Sequence, residues 1–273
     1  MIPQTIGFVG AGNMAEALIR GLLSTRSCRV EQLAASDVNE IRLAYMTKNY
    51  KVTGCAHNRE LAGACDILVL AVKPQQIREV LADLSSSLRP ERHILVSIAA
   101  GITTTYIEKA AAAPVKVVRA MPNTPARLLA GATAFCLGQY AGEAESLLAH
   151  MLFDAVGLTF RVEEDLLNTV TAVSGSGPAY VFKFCEMLIR AGVDMGLPSA
   201  DAEQLAIQTI WGAAKMLKET QEPPAALRAA VTSPGGTTQA ALEHLAASDF
   251  ETVFLQALAA ARNRAEALSL QRD

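Results

Sequence analysis

The chain has 273 residues, 51% of them hydrophobic by count, and a net charge of −3. That length suits one large domain or two smaller ones, and the absence of a basic block argues against a nucleic-acid surface. No run of about 18 uncharged apolar residues occurs, so no membrane span is expected.

MIPQTIGFVG enters a strand at once and leaves no room for a signal peptide. Cys28, Cys55, Cys65, Cys136 and Cys185 are scattered, without CxxC spacing, and read as free thiols in a reducing cytoplasm. His57, His93, His150 and His244 form no metal-ligand pattern, so no metal is expected.

Thr5 to Val9 reads as a buried strand, Gly10 to Asn13 as a glycine turn, and Met14, Leu18 and Leu22 recur at helical spacing. Strand, glycine turn and helix in that order make an anion site, because unpaired amides and the helix dipole meet the ligand there. The fingerprint GxGxxG ends here in Ala15, a substitution that it allows. Leu33 to Ser36 is a second strand ending at Asp37, roughly 20–25 residues past the turn, where an acidic side chain meets a ribose. Asp37 or Asn39 equally suits the N-cap of the helix Glu40 to Tyr50.

Strands continue to alternate with helices. Lys51 to Cys55 is a weak strand, Ile67 to Val72 a strong one, and Gln75 to Ser86 a helix. Ile94 to Ile98 is the next strand, and Thr105 with Glu108 suggests a capping box. Val115 to Arg119, Gly131 to Leu137 and Leu158 to Val162 are strands, the last two bracketing a helix from Glu143 to Val156. The pattern predicts an α/β fold, a doubly wound, mostly parallel Rossmann-like sheet over residues 1–162. Ligands on such sheets sit at strand carboxyl ends. The expected crevice is therefore lined by Gly10, Gly12, Asn13 and Met14, by Ser36 and Asp37, by Ala71, Val72, Lys73 and Pro74, by Ala100 and Gly101, and by Asn123.

Residues 163–273 change character to alanine-rich helices: Asp165 to Thr171, Pro178 to Gly196, Ser199 to Thr220, Pro224 to Val231, Thr237 to Ala247 and Phe250 to Leu270. Several are apolar over a wide arc, which points to burial against a second copy of the chain, with assembly of dimers into a larger homo-oligomer left open. VSGSGPAY (Val173 to Tyr180) and VTSPGGTTQAAL (Val231 to Leu242) read as small-residue loops feeding helix starts. Such loops suit anion cradles, although the same residues also serve simply as caps.

The chain resembles the pyrroline-5-carboxylate reductases, and FVGAGNMAEALIRG, AVKP, MPNTP, EEDLLNTVTAVSGSGPAYVF, MGLP and TSPGGTT carry the likeness in that order. The resemblance implies a helical, dimerising second domain and hydride transfer from a nicotinamide to the C=N bond of a cyclic imine carboxylate, giving L-proline. It implies that Ser233, Gly235, Gly236, Thr237 and Thr238 hold the carboxylate. The Thr238 hydroxyl would meet the ring nitrogen, and Ser176, with Ser174 and Gly177, would shape the nicotinamide end; Thr238 and Ser176 are thus the catalytic candidates. Asn123 would close over the nicotinamide, unless it only shapes a turn between prolines, and Lys73 would lie near the ribose, unless it is merely solvated. An imine accepts a proton near neutral pH, so the reaction needs no strong general acid, and none stands in the glycine motifs; positioning and electrostatics remain the task.

NADPH is the expected cofactor, with NADH also a candidate, because Val38 stands where the family often has a basic residue. Two rivals are a β-hydroxyacid dehydrogenase and a non-catalytic dinucleotide sensor. Lys183 falls two residues too late for the GxGxxxK pattern of the first, and the intact SPGGTT loop opposes the second.

Overall fold

The computed structural model describes residues 1–270, which fall into two compact units, one of residues 1–176 with the described residues from 261 on, the other of residues 177–260. The first unit holds an eight-stranded sheet. Its strands are β1 (Ile6–Val9), β2 (Leu33–Ser36), β3 (Thr53–Cys55), β4 (Ile67–Leu70), β5 (Ile94–Ser97), β6 (Lys116–Met121), β7 (Gly131–Leu137) and β8 (Gly157–Arg161), in spatial order β3-β2-β1-β4-β5-β6-β7-β8. The chain goes outward from β1 to β3 and returns to β4 on the other side of β1, so the order reverses between β1 and β4. A ligand crevice is expected at that reversal.

The strands β1 to β6 are parallel, joined through α1 (Asn13–Ser24), α2 (Glu40–Tyr50), α3 (Asn58–Ala64), α4 (Ile77–Leu84) and α5 (Thr104–Ala111). The central strands β1, β4 and β5 are buried throughout, as uninterrupted apolar runs require when helices cover both faces. Alternation sends Ile6, Phe8, Ile67, Val69 and Val96 into one core, and Val9, Leu68, Leu70 and Leu95 into the other. Each such side chain contributes roughly 1.5–3 kcal/mol on burial.

The structure refines the sequence reading at several elements and corrects it at others. The strand β7 runs antiparallel to β6, because the turn through Thr124–Leu128 is too short for a crossover helix. It is followed by α6 (Glu143–Phe153) and by β8, which is parallel to β7. Thr103, not Thr105, caps α5 and accepts from the Tyr106 amide over 3.1 Å; Glu108 instead accepts from the Gln139 amide. Asn39 is the cap of α2, accepting from the Arg42 amide.

The largest correction concerns VSGSGPAY. After α7 (Leu167–Val170), residues Thr171–Gly175 form a π-helical turn rather than a loop, and the Ser176 amide is already bonded to the Thr171 carbonyl over 2.8 Å. The Ser176 amide is therefore not free to hold an anion, and a π-turn of this kind is itself frequent at functional sites.

Four more helices follow, α8 (Gly177–Asp194), α9 (Ser199–Thr220), α10 (Pro224–Ala230) and α11 (Thr237–Ala247), and then α12 (Phe250–Leu270), which begins in the second unit and ends in the first. Within the second unit α8 packs on α9 where a Cβ on Gly192 would lie 3.2 Å from Ala202 Cβ. Large apolar side chains remain exposed there, among them Phe182, Trp211 and Val253. No described helix is long and apolar enough to cross a membrane.

Candidate dinucleotide and substrate sites

A cleft of about 830 Å³ opens at the carboxyl ends of β1 to β4. It gathers Gly10, Gly12, Ser36, Asp37, Ala71, Val72 and Lys73 from the expected set. Gly10 has φ +95°, and a Cβ there would lie 2.7 Å from the Ala71 carbonyl oxygen at the end of β4, so only glycine fits the turn from β1 into α1. Nothing lies within 4 Å of a Cβ built on Gly12, so any side chain there would enter the cleft. The first ladder bond of α1 runs from the Glu16 amide to the Gly12 carbonyl, leaving the amides of Asn13 to Ala15 before it. Amides at a helix start beside bare glycine fit a pyrophosphate.

Asp37 is turned toward the protein. Its carboxylate accepts from the Ala11 amide over 2.6 Å and from the Asn39 amide over 2.8 Å, tying the glycine turn to the end of β2. Arg42 braces the same turn through Nε, which donates to the Ala11 carbonyl over 2.6 Å, and its guanidinium pairs with Glu16. Burial raises the Glu16 carboxyl, but Arg42, Tyr50 and Tyr45 together outweigh it and hold the group below its ordinary value. Burial and the bond to Glu16 push the Tyr50 hydroxyl up to about 12.

The cleft also takes residues absent from the sequence reading: Ala56, His57, Asn58, Arg59 and Glu60 after β3, with Gln76, Glu79 and Asp83 along the α4 side. The weak strand Lys51 to Cys55 held the signal, since its end, AHNRE, is a strand carboxyl end like the others. Ser36 Oγ donates to Asn58 Oδ1 over 2.8 Å, fastening the β3–α3 turn to β2.

Asn13 and Met14 open α1 behind Gly12, and neither they nor Pro74, Ala100, Gly101 or Asn123 line this cleft. Gly101 is buried, with φ +71°, against the backbone of Leu268. Asn123 is buried, and both ends of its amide are engaged within the protein: Nδ2 donates to the Ser174 carbonyl over 3.0 Å, and Oδ1 accepts from Ala132 over 2.9 Å. Glu164 accepts from the amide and hydroxyl of Thr104 and pairs with buried Arg119 over 2.9 Å.

In the second unit the SPGGTT loop opens α11. Gly235 has φ +69°, and its amide donates to Gln239 Oε1 over 2.7 Å. A Cβ on Gly236 would collide with Ser233 Oγ, so glycine is needed there to keep the turn closed. The ladder of α11 begins with Ala240 bonded to Gly236, which leaves the amides of Thr237 to Gln239 ahead of it. Thr237 is exposed and Thr238 half-buried.

Residues 164–268 match the model for pyrroline-5-carboxylate reductase dimerisation, and residues 5–101 match that for coenzyme F420-dependent NADP oxidoreductases. A pyrroline-5-carboxylate reductase of Pseudomonas aeruginosa is 40% identical over 272 residues, covering 99% of both chains. The chain belongs to the pyrroline-5-carboxylate reductase family. A solved family structure from Coxiella burnetii superposes with a TM-score of 0.93 at 38% identity, covering 98% of this chain and 99% of that one. Another, from Plasmodium falciparum with NADP bound, gives 0.87 at 31% identity over 98% and 99% of the two chains. Membership at this level does not favour the hydroxyacid dehydrogenase or the sensor.

Proposed function

We propose that the chain is itself a pyrroline-5-carboxylate reductase, reducing the cyclic imine to L-proline with NADPH, and with NADH as a poorer donor. The observation that carries this is the cleft at the β1/β4 reversal, with its glycine turn and free helix-start amides, in a chain matched to the family from end to end. Gly10 and Gly12, which line the cleft, hold the pyrophosphate with the helix-start amides of Asn13 and Met14 behind them, while Ser36 and Lys73 flank the ribose. The bound nicotinamide supplies the hydride.

The substrate carboxylate is held by Ser233 and by the backbone of Gly235, Gly236, Thr237 and Thr238. The Thr238 hydroxyl bonds the ring nitrogen as the protonated imine becomes an amine, and Ser176 shapes the nicotinamide end. Pairing of this chain with a second copy through residues after about 163 follows from the exposed apolar side chains of the helical unit. The buried thiols of Cys28, Cys55, Cys65 and Cys136 suit a reducing cytoplasm.

The test is oxidation of NADPH and NADH by the purified protein with pyrroline-5-carboxylate, against reduction of NADP+ and NAD+ with a panel of β-hydroxyacids. Turnover with the imine alone supports the reading, and turnover with a hydroxyacid alone removes it. Sedimentation showing a stable, active monomer would remove the pairing.

A further inference from the structure

The register of the sheet sets Ser36 opposite Cys55, so the residues that follow each strand, Asp37-Val38 and Ala56 to Arg59, stand side by side at the outer end of the cleft. Ribose recognition belongs to the end of β2 in folds of this kind, which makes the β3–α3 turn the next neighbour of a 2′ substituent. Val38 offers no charge there, and Asp37 is spent on the Ala11 and Asn39 amides.

Arg59 does offer charge. Its protein bonds run through Nε alone, to the carbonyl and Oδ1 of Asp83 at 3.1 and 2.9 Å. Among the described residues its two terminal nitrogens have no protein partner, and the side chain is 62% exposed.

Four carboxylates share the cleft with it, and three are committed: Asp37 as above, Glu60 to the Ala56 amide over 2.9 Å, and Asp83 to Arg59 itself. All four keep their charge, and Glu79 is the one among them without a hydrogen bond to the described residues.

We infer that Arg59 is the residue that selects the phosphorylated cofactor, its terminal nitrogens taking the 2′-phosphate that NADPH carries and NADH lacks. A planar guanidinium held by a carboxylate at Nε keeps its outer edge ready for two parallel bonds to phosphate oxygens. The basic residue missing at position 38 is thus supplied from the neighbouring strand end. The inference rests on the dinucleotide reading of the cleft.

Calorimetric titration of the intact protein with NADP+, NAD+ and adenosine 2′-monophosphate tests it without recourse to turnover. Arg59→Ala is expected to weaken NADP+ and adenosine 2′-monophosphate on the order of 10- to 100-fold, as loss of a charged hydrogen-bonded pair does, with NAD+ shifted less than about threefold. Arg59→Lys is expected to recover part of the loss, since it restores the charge without the fork. Equal weakening of NADP+ and NAD+, or no change in either, would overturn the assignment of Arg59 while leaving the cleft as the nucleotide site. Failure of the unaltered protein to bind either dinucleotide would instead overturn the dinucleotide reading, and Arg59 with it.

Discussion

The side-chain amide of Asn123 donates to the main-chain carbonyl of Ser174, 51 residues further along the chain, over 3.0 Å. Its oxygen accepts from the Ala132 amide at the start of β7, so one buried side chain joins a sheet strand to the π-turn of Thr171–Gly175. A methyl of Met121 occupies the space beside Gly175, 2.7 Å from where a Cβ would stand, and closes the turn from the other side.

Asn123→Ala removes the side-chain partner of two half-buried backbone groups and is expected to cost about 1–3 kcal/mol of stability. Asn123→Asp keeps the acceptor for Ala132 but sets a carboxylate against the Ser174 carbonyl. Protonation removes that repulsion and restores a donor, so its folded pKa lies above its unfolded one. Its deficit relative to the parent chain is therefore expected to shrink as pH falls below about 5. Melting temperatures across that range check it; a deficit independent of pH means the carbonyl contact is unimportant.

The sequence places the carboxylate of Asp37 where it meets a ribose or caps a helix. Its bond to the Ala11 amide, at 2.6 Å, assigns it a further task in shaping the glycine turn. Asp37→Ala is expected to weaken NADPH and NADH together, by roughly tenfold for one lost charged hydrogen bond. A gain for NADPH alone, measured as kcat/KM with each cofactor, would show instead that the carboxylate acts by repelling the 2′-phosphate.

Glu16 links α1 to α2 through Arg42, Tyr45 and Tyr50. Its folded-state pKa lies below the ordinary 4.5. Its contribution is therefore complete above that value and is lost as pH falls through the depressed one. Glu16→Gln is expected to cost on the order of 1 kcal/mol at neutral pH, with the difference from the parent chain fading in acid. Tyr50 behaves oppositely: raised to about 12, its hydroxyl contributes fully below 10 and ceases to do so only as pH climbs through about 12. Denaturant midpoints against pH for the parent chain and Glu16→Gln check both signs.

Thr238 separates mechanism from fold. If its hydroxyl meets the ring nitrogen, Thr238→Ala lowers kcat and kcat/KM together by about 30- to 1000-fold, with KM little changed, while Thr238→Ser is mild. No side chain caps α11, whose N-cap position is Gly236, so only a small change in melting temperature accompanies the loss. A Thr238→Ala protein with normal turnover would leave the SPGGTT loop as an anchor only.

What could be read in the sequence was local. The glycine turn, the apolar runs of β4 and β5 and the helix start at Thr237 each carry their signal within a few residues. Asn123 looked like a turn residue because its partners lie 9 and 51 positions away. SGSG looked like a loop because glycine and serine are poor helix formers, and tertiary bonds overrode that preference. The AHNRE turn was passed over because β3 is only three residues long, with two of them exposed, and so lacks the apolar run that marks a strand.

The chain leaves the first unit after Ser176 and re-enters it at Ala261, so the helices between are an insertion rather than a tail. The returning end of α12 belongs to the sheet unit: Ala265 is buried, Ser269 Oγ reaches Asn168 over 3.4 Å, and Leu268 backs the Gly101 turn. Genetic dissection at residue 176 therefore yields a nucleotide module stripped of one of its own helices. A faithful minimal module would instead keep the returning end of α12 with residues 1–176, and a deletion that reaches back through Ser269 would injure the opposite functional half from the one it seems to trim.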